Sequence, residues 1–268
     1  MSSIFLQFTG YLNTPKLWEG TNSFGLTQFD FEGPQVKTYP YNLDRNLRLG
    51  KRVERFVSYE LQQQPDIKII AENIQILHQK QTLGELDCLL KQNNQNIHLE
   101  IVYKFYLYDK NVGTTESEHW IGPNRRDSLV EKLSKLKEKQ LPLLLNPETL
   151  PYLETLGIAS TNIKQYVYFK AQLFVPADMK NNYFPEVNNS CIAGFYLHYS
   201  ELESLKHCKF HLPHKIDWLQ NIQIQTPWLS YSEFRTRIAP ILNQQSSPLC
   251  WVKYPNGETE KCFIVWWH

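Results

Sequence analysis

The chain has 268 residues, 42% of them hydrophobic and 13% aromatic, which is enough for one substantial core and a smaller appendage. Its 28 basic and 27 acidic residues leave a net charge of +1, which excludes a globally basic nucleic-acid binder and confines any basic footprint to a local patch. No stretch reaches the roughly 18–20 apolar residues of a membrane span, and the five cysteines, an odd number without CxxC spacing, argue against a disulfide framework.

The amino terminus, Met1 to Phe8, has neither the charged start nor the apolar run of a signal peptide, so a cytoplasmic protein without membrane contact is expected. A short helix is predicted over Ser3 to Tyr11. The aromatic, proline-punctuated stretch that follows (Pro15, Trp18, Phe24, Phe29, Phe31, Pro34, Tyr39, Pro40, Tyr41) reads as a wrapping segment, closing a first unit at residues 1–44. From Asn46 to Gln63 the residues Leu49, Val53, Phe56, Val57 and Leu61 recur at three and four, the pattern of an amphipathic helix stopped before Pro65.

Three strand-like runs come next: Ile67 to His78, Gly84 to Lys91 and Ile97 to Tyr108, rich in β-branched and aromatic residues. Ser128 and Glu131 have capping-box spacing ahead of a second helix with Leu129, Val130, Leu133 and Leu136 as its buried stripe. Tyr166 to Val175 reads as a fourth strand and closes a core at residues 45–175. The remainder, 176–268, reads as a carboxyl-terminal α+β lobe or as an extension of the first sheet. It holds a helix near Ser232 to Leu242 and a hairpin around Pro255-Asn256-Gly257.

The chemistry concentrates between Gly84 and Lys104. Residues two apart on a strand point the same way, so Glu85 and Asp87 share a face, as do His98, Glu100, Val102 and Lys104. Leu99, Ile101, Tyr103, Phe105 and Leu107 form the opposite, apolar face. Paired strands would bring Asp87 near Glu100, and neighbouring carboxylates resist joint ionisation unless a cation lies between them. Oxygen ligands at a partly hydrated site suit Mg²⁺ or Mn²⁺.

The helix–β–β–β–helix–β order, with Gly84-Glu-Leu-Asp87 on one strand and Glu100-Ile-Val-Tyr-Lys104-Phe-Tyr-Leu107 on the next, resembles the PD-(D/E)XK nuclease superfamily. It is similar in particular to an uncharacterised bacterial family within it that carries an E-x-x-x-K-F-Y-L strand. Trp120-Ile-Gly-Pro-Asn-Arg-Arg-Asp127 and Leu49-Gly-Lys-Arg-Val-Glu54 fit the same pattern, and the resemblance spans about residues 45–175. It implies an α/β (α+β) protein with a restriction-endonuclease-like mixed-sheet core. It also implies Asp87 and Glu100 as ligands of Mg²⁺ or Mn²⁺, Lys104 as catalytic lysine, and a helical glutamate as accessory ligand.

By resemblance that glutamate is Glu54, although helical arithmetic puts Glu60 nearer the centre of the apolar stripe. The superfamily spaces its Glu and Lys two residues apart; here the gap is four, about 13 Å between Cα atoms instead of about 7 Å at roughly 3.3 Å per residue, and Val102 stands in the usual place.

Arg125 and Arg126, before a helix start, are candidate phosphate contacts for a nucleic-acid partner, and Lys132, Lys135 and Lys139 read as a solvated helix face. The expected function is metal-dependent hydrolysis of phosphodiester bonds in DNA or RNA. The alternatives are a catalytically silent module of the same fold that binds nucleic acid or a protein, and a structural partner protein whose aromatic lobe forms an interface.

Overall fold

The computed structural model describes residues 3–31 and 38–268, so Pro34 of the wrapping segment lies outside the described residues. Helix α1 runs over Ser3–Asn13 and α2 over Leu49–Gln62. The three-four spacing in α2 does what it predicts: Val53, Phe56, Val57 and Leu61 are all buried.

Strands β1 (Ile67–His78), β2 (Gln81–Gln92) and β3 (Gln95–Tyr108) form an antiparallel meander. Asn93 and Asn94, with φ of 47° and 69°, make the two-residue turn between β2 and β3. Two positive φ values in succession give the type I′ twist that matches paired strands, and asparagine tolerates them.

After β3 come a one-turn helix α3 (Glu116–His119), a two-residue strand β4 (Trp120–Ile121) and α4 (Leu129–Lys135). Ser128 caps α4 by accepting the Glu131 backbone N–H, as the spacing predicts. The helix continues as a single π-helical turn, Leu136–Gln140, and a 3₁₀ turn, Leu141–Leu145. Helix α5 (Leu150–Thr155) leads to β5 (Ile163–Pro176). Beyond lie β6 (Ile192–His198), β7 (Lys209–His211), α6 (Tyr231–Asn243), β8 (Leu249–Lys253) and β9 (Thr259–Val265).

The nine described strands make one mixed sheet in the order β1-β2-β3-β5-β6-β9-β8-β7, with β4 added to the end of β3. The pairs β3–β5, β5–β6 and β6–β9 are parallel and the others antiparallel. The strands after residue 176 therefore continue the sheet of residues 67–176, through β6 against β5. That junction is short, because β6 pairs only with the Leu173–Pro176 end of β5. The first half of that β5 edge is closed by the wrapping segment, whose Leu17 and Phe29 donate backbone N–H groups to Phe169 and Val167. An open edge would present unpaired backbone groups, so the aromatic segment has a structural task.

The faces divide as strand alternation requires. Leu99, Tyr103, Phe105 and Leu107 pack with α1 and α2, while Val102 and Tyr106 pack with Leu129, Leu133 and Leu136 on the other side. His98 and Glu100 lie on that second side and are fully buried.

Candidate active site

The β2–β3 ladder pairs Leu89 with His98 and Cys88 with Leu99, which sets Asp87 opposite Glu100 in the same register. There the ladder ends. Asp87 Oδ2 accepts the Ile101 backbone N–H at 2.8 Å, so a side chain takes the place of the partner strand's carbonyl and the strands part. The carboxylates of Asp87 and Glu100 meet at this fork.

Burial pushes the Asp87 carboxyl up to about 7, and the charge of Glu100 adds to the rise, while the Ile101 N–H and the ammonium groups of Lys132 and Lys51 oppose it. Burial likewise raises Glu100 to about 7, opposed by Lys132 and by the adjoining Asp87, with Glu85 raising it further. Two such groups titrate as a pair that retains a proton near neutrality.

Glu100 is held from both ends. Gln165 Nε2 donates to Leu141 O at 2.6 Å and to His98 Nδ1 at 3.0 Å, which leaves the imidazole proton on Nε2 to be donated to Glu100 Oε1 at 3.0 Å. Burial lowers the His98 pKa to about 4, so the ring is neutral at pH 7. On the other side Gln140 Nε2 donates to Glu100 Oε2 at 2.5 Å, and its Oε1 accepts from Lys132 Nζ at 2.7 Å. Gln140 closes the π-helical turn, a departure from α geometry that recurs at functional sites. Lys132 is thereby drawn into the site, its pKa lowered by burial to about 8 although Glu100 and Asp87 pull it upward.

Glu54 stands at the rim. Its carboxylate pairs with Lys51 at 2.9 Å, Lys51 also pairs with Glu85, and burial raises the Glu54 pKa to about 6 with contributions from Asp87 and Glu85. Glu60 points elsewhere, accepting hydrogen bonds from Tyr11 and Tyr168 in the interior. Of the two helical glutamates, the structure brings Glu54 to Asp87.

Lys104 is not brought to the carboxylate pair. Its Nζ is bonded to Asp127 Oδ2 at 2.5 Å, and Val102 is buried against α4. Arg125 donates to Asp109 Oδ2 at 2.7 Å and lies over the Trp267 ring, while Arg126 is exposed. Neither lies in the carboxylate cluster. Lys135 and Lys139 are exposed as expected; Lys132, read as one of that stripe, is the exception.

Glu54, Glu85, Asp87 and Glu100 thus share one electrostatic cluster with Lys51 and Lys132. Among the described residues, no three His, Cys, Asp or Glu side chains stand in the arrangement of a ready-made metal cage, and no helix is long and apolar enough to cross a membrane.

No match was found among curated proteins or among solved structures. A family model, described as a domain of unknown function (DUF1853), matches residues 13–265 and so runs through the wrapping segment, the fork and the last strand. The chain belongs to that family.

Proposed function

We propose that this protein is a metal-dependent phosphodiester hydrolase of nucleic acids, built on a restriction-endonuclease-like core of the PD-(D/E)XK type. The order α2, β1, β2, β3, α4, β5, with an antiparallel meander followed by a parallel crossover, supports the fold assignment. The observation that carries the function is the fork itself. Asp87 and Glu100 face each other at the point where β2 and β3 part, each pushed up to about 7, with the Lys132 ammonium beside them.

The donor set fits a hard dication. It is oxygen-only, and Mg²⁺ keeps most of its waters and needs one or two carboxylates where Zn²⁺ would need a full cage. When bound, such an ion supplies charge neutralisation at phosphorus and acidifies water.

The chain's own residues divide the remaining work. Asp87 and Glu100 would hold the ion, and His98 and Gln140 fix Glu100 so that its oxygens need no reorganisation. Lys132, with its pKa lowered to about 8, would hold or release a proton beside the reacting water, the role that Lys104 was expected to fill. Glu54 lies at the rim, where it would orient solvent.

The test is cleavage of a mixed DNA and RNA panel with Mn²⁺. Asp87→Ala and Glu100→Ala are each expected to reduce cleavage at least about a hundredfold. Activity that survives both substitutions removes the assignment. The second reading, a silent module of the same fold that binds nucleic acid or protein, is favoured by the Lys104–Asp127 pair and by the engagement of both Glu100 oxygens with neutral donors. Calorimetry separates the two: heat of divalent binding supports the hydrolase, and its absence supports the silent module.

A further inference from the structure

We propose that the cavity around Lys261 is a second ligand site, shaped for the oxyanion of a small molecule, a carboxylate or a phosphate. Lys261 lies on β9 near the middle of the sheet and is only 7% exposed. Its Nζ donates to Gln172 Oε1 at 2.8 Å and to Trp218 O at 3.2 Å, both neutral acceptors. Among the described residues no Asp or Glu forms an ion pair with it, and burial alone lowers its pKa, to about 7. A buried ammonium without a counter-charge is costly, and proteins ordinarily pair it.

Lys261 borders a cavity of about 290 Å³. Its polar walls include Asn13, Ser190 and Asn221, which can donate hydrogen bonds, while the Thr14 hydroxyl is spent on the Gly10 carbonyl and Tyr103; no carboxylate lines it. Such a wall offers an anion one positive charge and several neutral donors. The volume sits at the lower end of the roughly 300–1,000 Å³ of small-molecule sites, too little for a polymer.

The lysine is also oriented. Gln172 Nε2 donates to Tyr103 Oη at 2.7 Å, and Tyr103 in turn shares a hydrogen bond with Thr14 at 2.7 Å. This fixes the Gln172 carbonyl toward Lys261. Gln172 is in register with Phe105, so it lies on the face of the sheet opposite Glu100, and the site is separate from the carboxylate fork. The inference therefore stands or falls independently of the hydrolase reading.

The test uses the full chain and three probes: inorganic phosphate, glycerol 3-phosphate and pyruvate. Calorimetry at pH 6 is expected to show saturable one-to-one binding of at least one probe. Phosphate-only or pyruvate-only binding identifies the class. Pyruvate, whose carboxylate stays ionised, should bind about tenfold more weakly at pH 8 than at pH 6 as the ammonium loses its proton. The phosphate probes gain charge over the same range and are compared at pH 6 alone. The other titratable group on the described wall, the Cys191 thiol, is pushed by burial to about 12 and keeps its charge state over that range.

Lys261→Met, of similar length and free of the desolvation cost, should fold and lose binding. Ala193→Leu, which keeps the lysine but fills the wall, should lose it too and serves if the first variant does not fold. Absence of saturable binding to the unaltered protein at up to about 10 mM of every probe overturns the proposal, as does binding that neither variant weakens.

Discussion

At the scale of single residues, the fork is an electrostatic liability that a cation would relieve. Asp87 has a folded-state pKa of about 7, above the usual carboxylate value, because burial and Glu100 disfavour its charge. A group held this way favours the folded state fully below its unfolded pKa, and the benefit is lost as pH rises through the folded value. Asp87→Asn removes that titration. Relative to the unaltered protein without metal, it should gain about 1–3 kcal/mol at pH 8, with the gain shrinking steadily toward pH 4.5. Thermal denaturation across that range checks the slope; a gain that is independent of pH contradicts the burial account.

The same groups predict a metal effect readable without substrate. Saturating Mn²⁺ at pH 8 should raise the stability of the unaltered protein, by about 2.7 kcal/mol at a hundred times the dissociation constant, and should leave Asp87→Asn nearly unmoved. The two lysines can be separated as well. Lys132→Met should reduce cleavage by about a hundredfold, within the range of a lost proton-transfer group. Lys104→Met breaks a half-exposed ion pair with Asp127 and should cost stability by no more than about 1 kcal/mol. A larger loss of cleavage in Lys104→Met than in Lys132→Met would return the catalytic role to β3.

At the scale of elements, the strongly periodic pieces were legible. The predicted run Ile67 to His78 coincides with β1, and the runs over β2, β3 and β5 are off by a few residues at their ends. The alternation on β3 correctly separated an apolar face from one carrying His98 and Glu100. What stayed hidden depends on how elements pack. Lys132 sits in a lysine-rich stretch indistinguishable from a solvated face until α4 is laid over the even-numbered side of β3.

Gln140 and Gln165 carry no charge and no motif, so nothing marked the first as a donor to Glu100 or the second as the group that orients His98 toward it. The π-helical turn has no compositional signature, yet it aims Gln140 between Glu100 and Lys132. Gln140→Leu leaves one carboxylate oxygen and one ammonium without that partner. It should destabilise the protein by about 1–3 kcal/mol, measured by urea denaturation, while Gln140→Glu should be worse because it removes the donor to Glu100 and adds a fifth carboxylate to the cluster.

At the scale of the whole molecule, one sheet joins the fork to the carboxyl-terminal strands through a narrow seam. β6 meets β5 at only four registered pairs, and on its other side it runs parallel to β9. Gly194 sits in that second contact, where an added Cβ would lie 2.1 Å from the Lys261 carbonyl oxygen. Backbone cannot retreat from such an approach without parting the strands. If the seam transmits stability across the sheet, Gly194→Val should lower the melting temperature of the entire protein. Tryptophan fluorescence, to which Trp251 of β8 contributes, should then melt together with far-ultraviolet dichroism in both the variant and the unaltered chain. A variant in which Trp251 is released first, with the dichroism of β1–β5 persisting to higher temperature, would show that the two halves of the sheet are energetically separate despite their continuous hydrogen bonding.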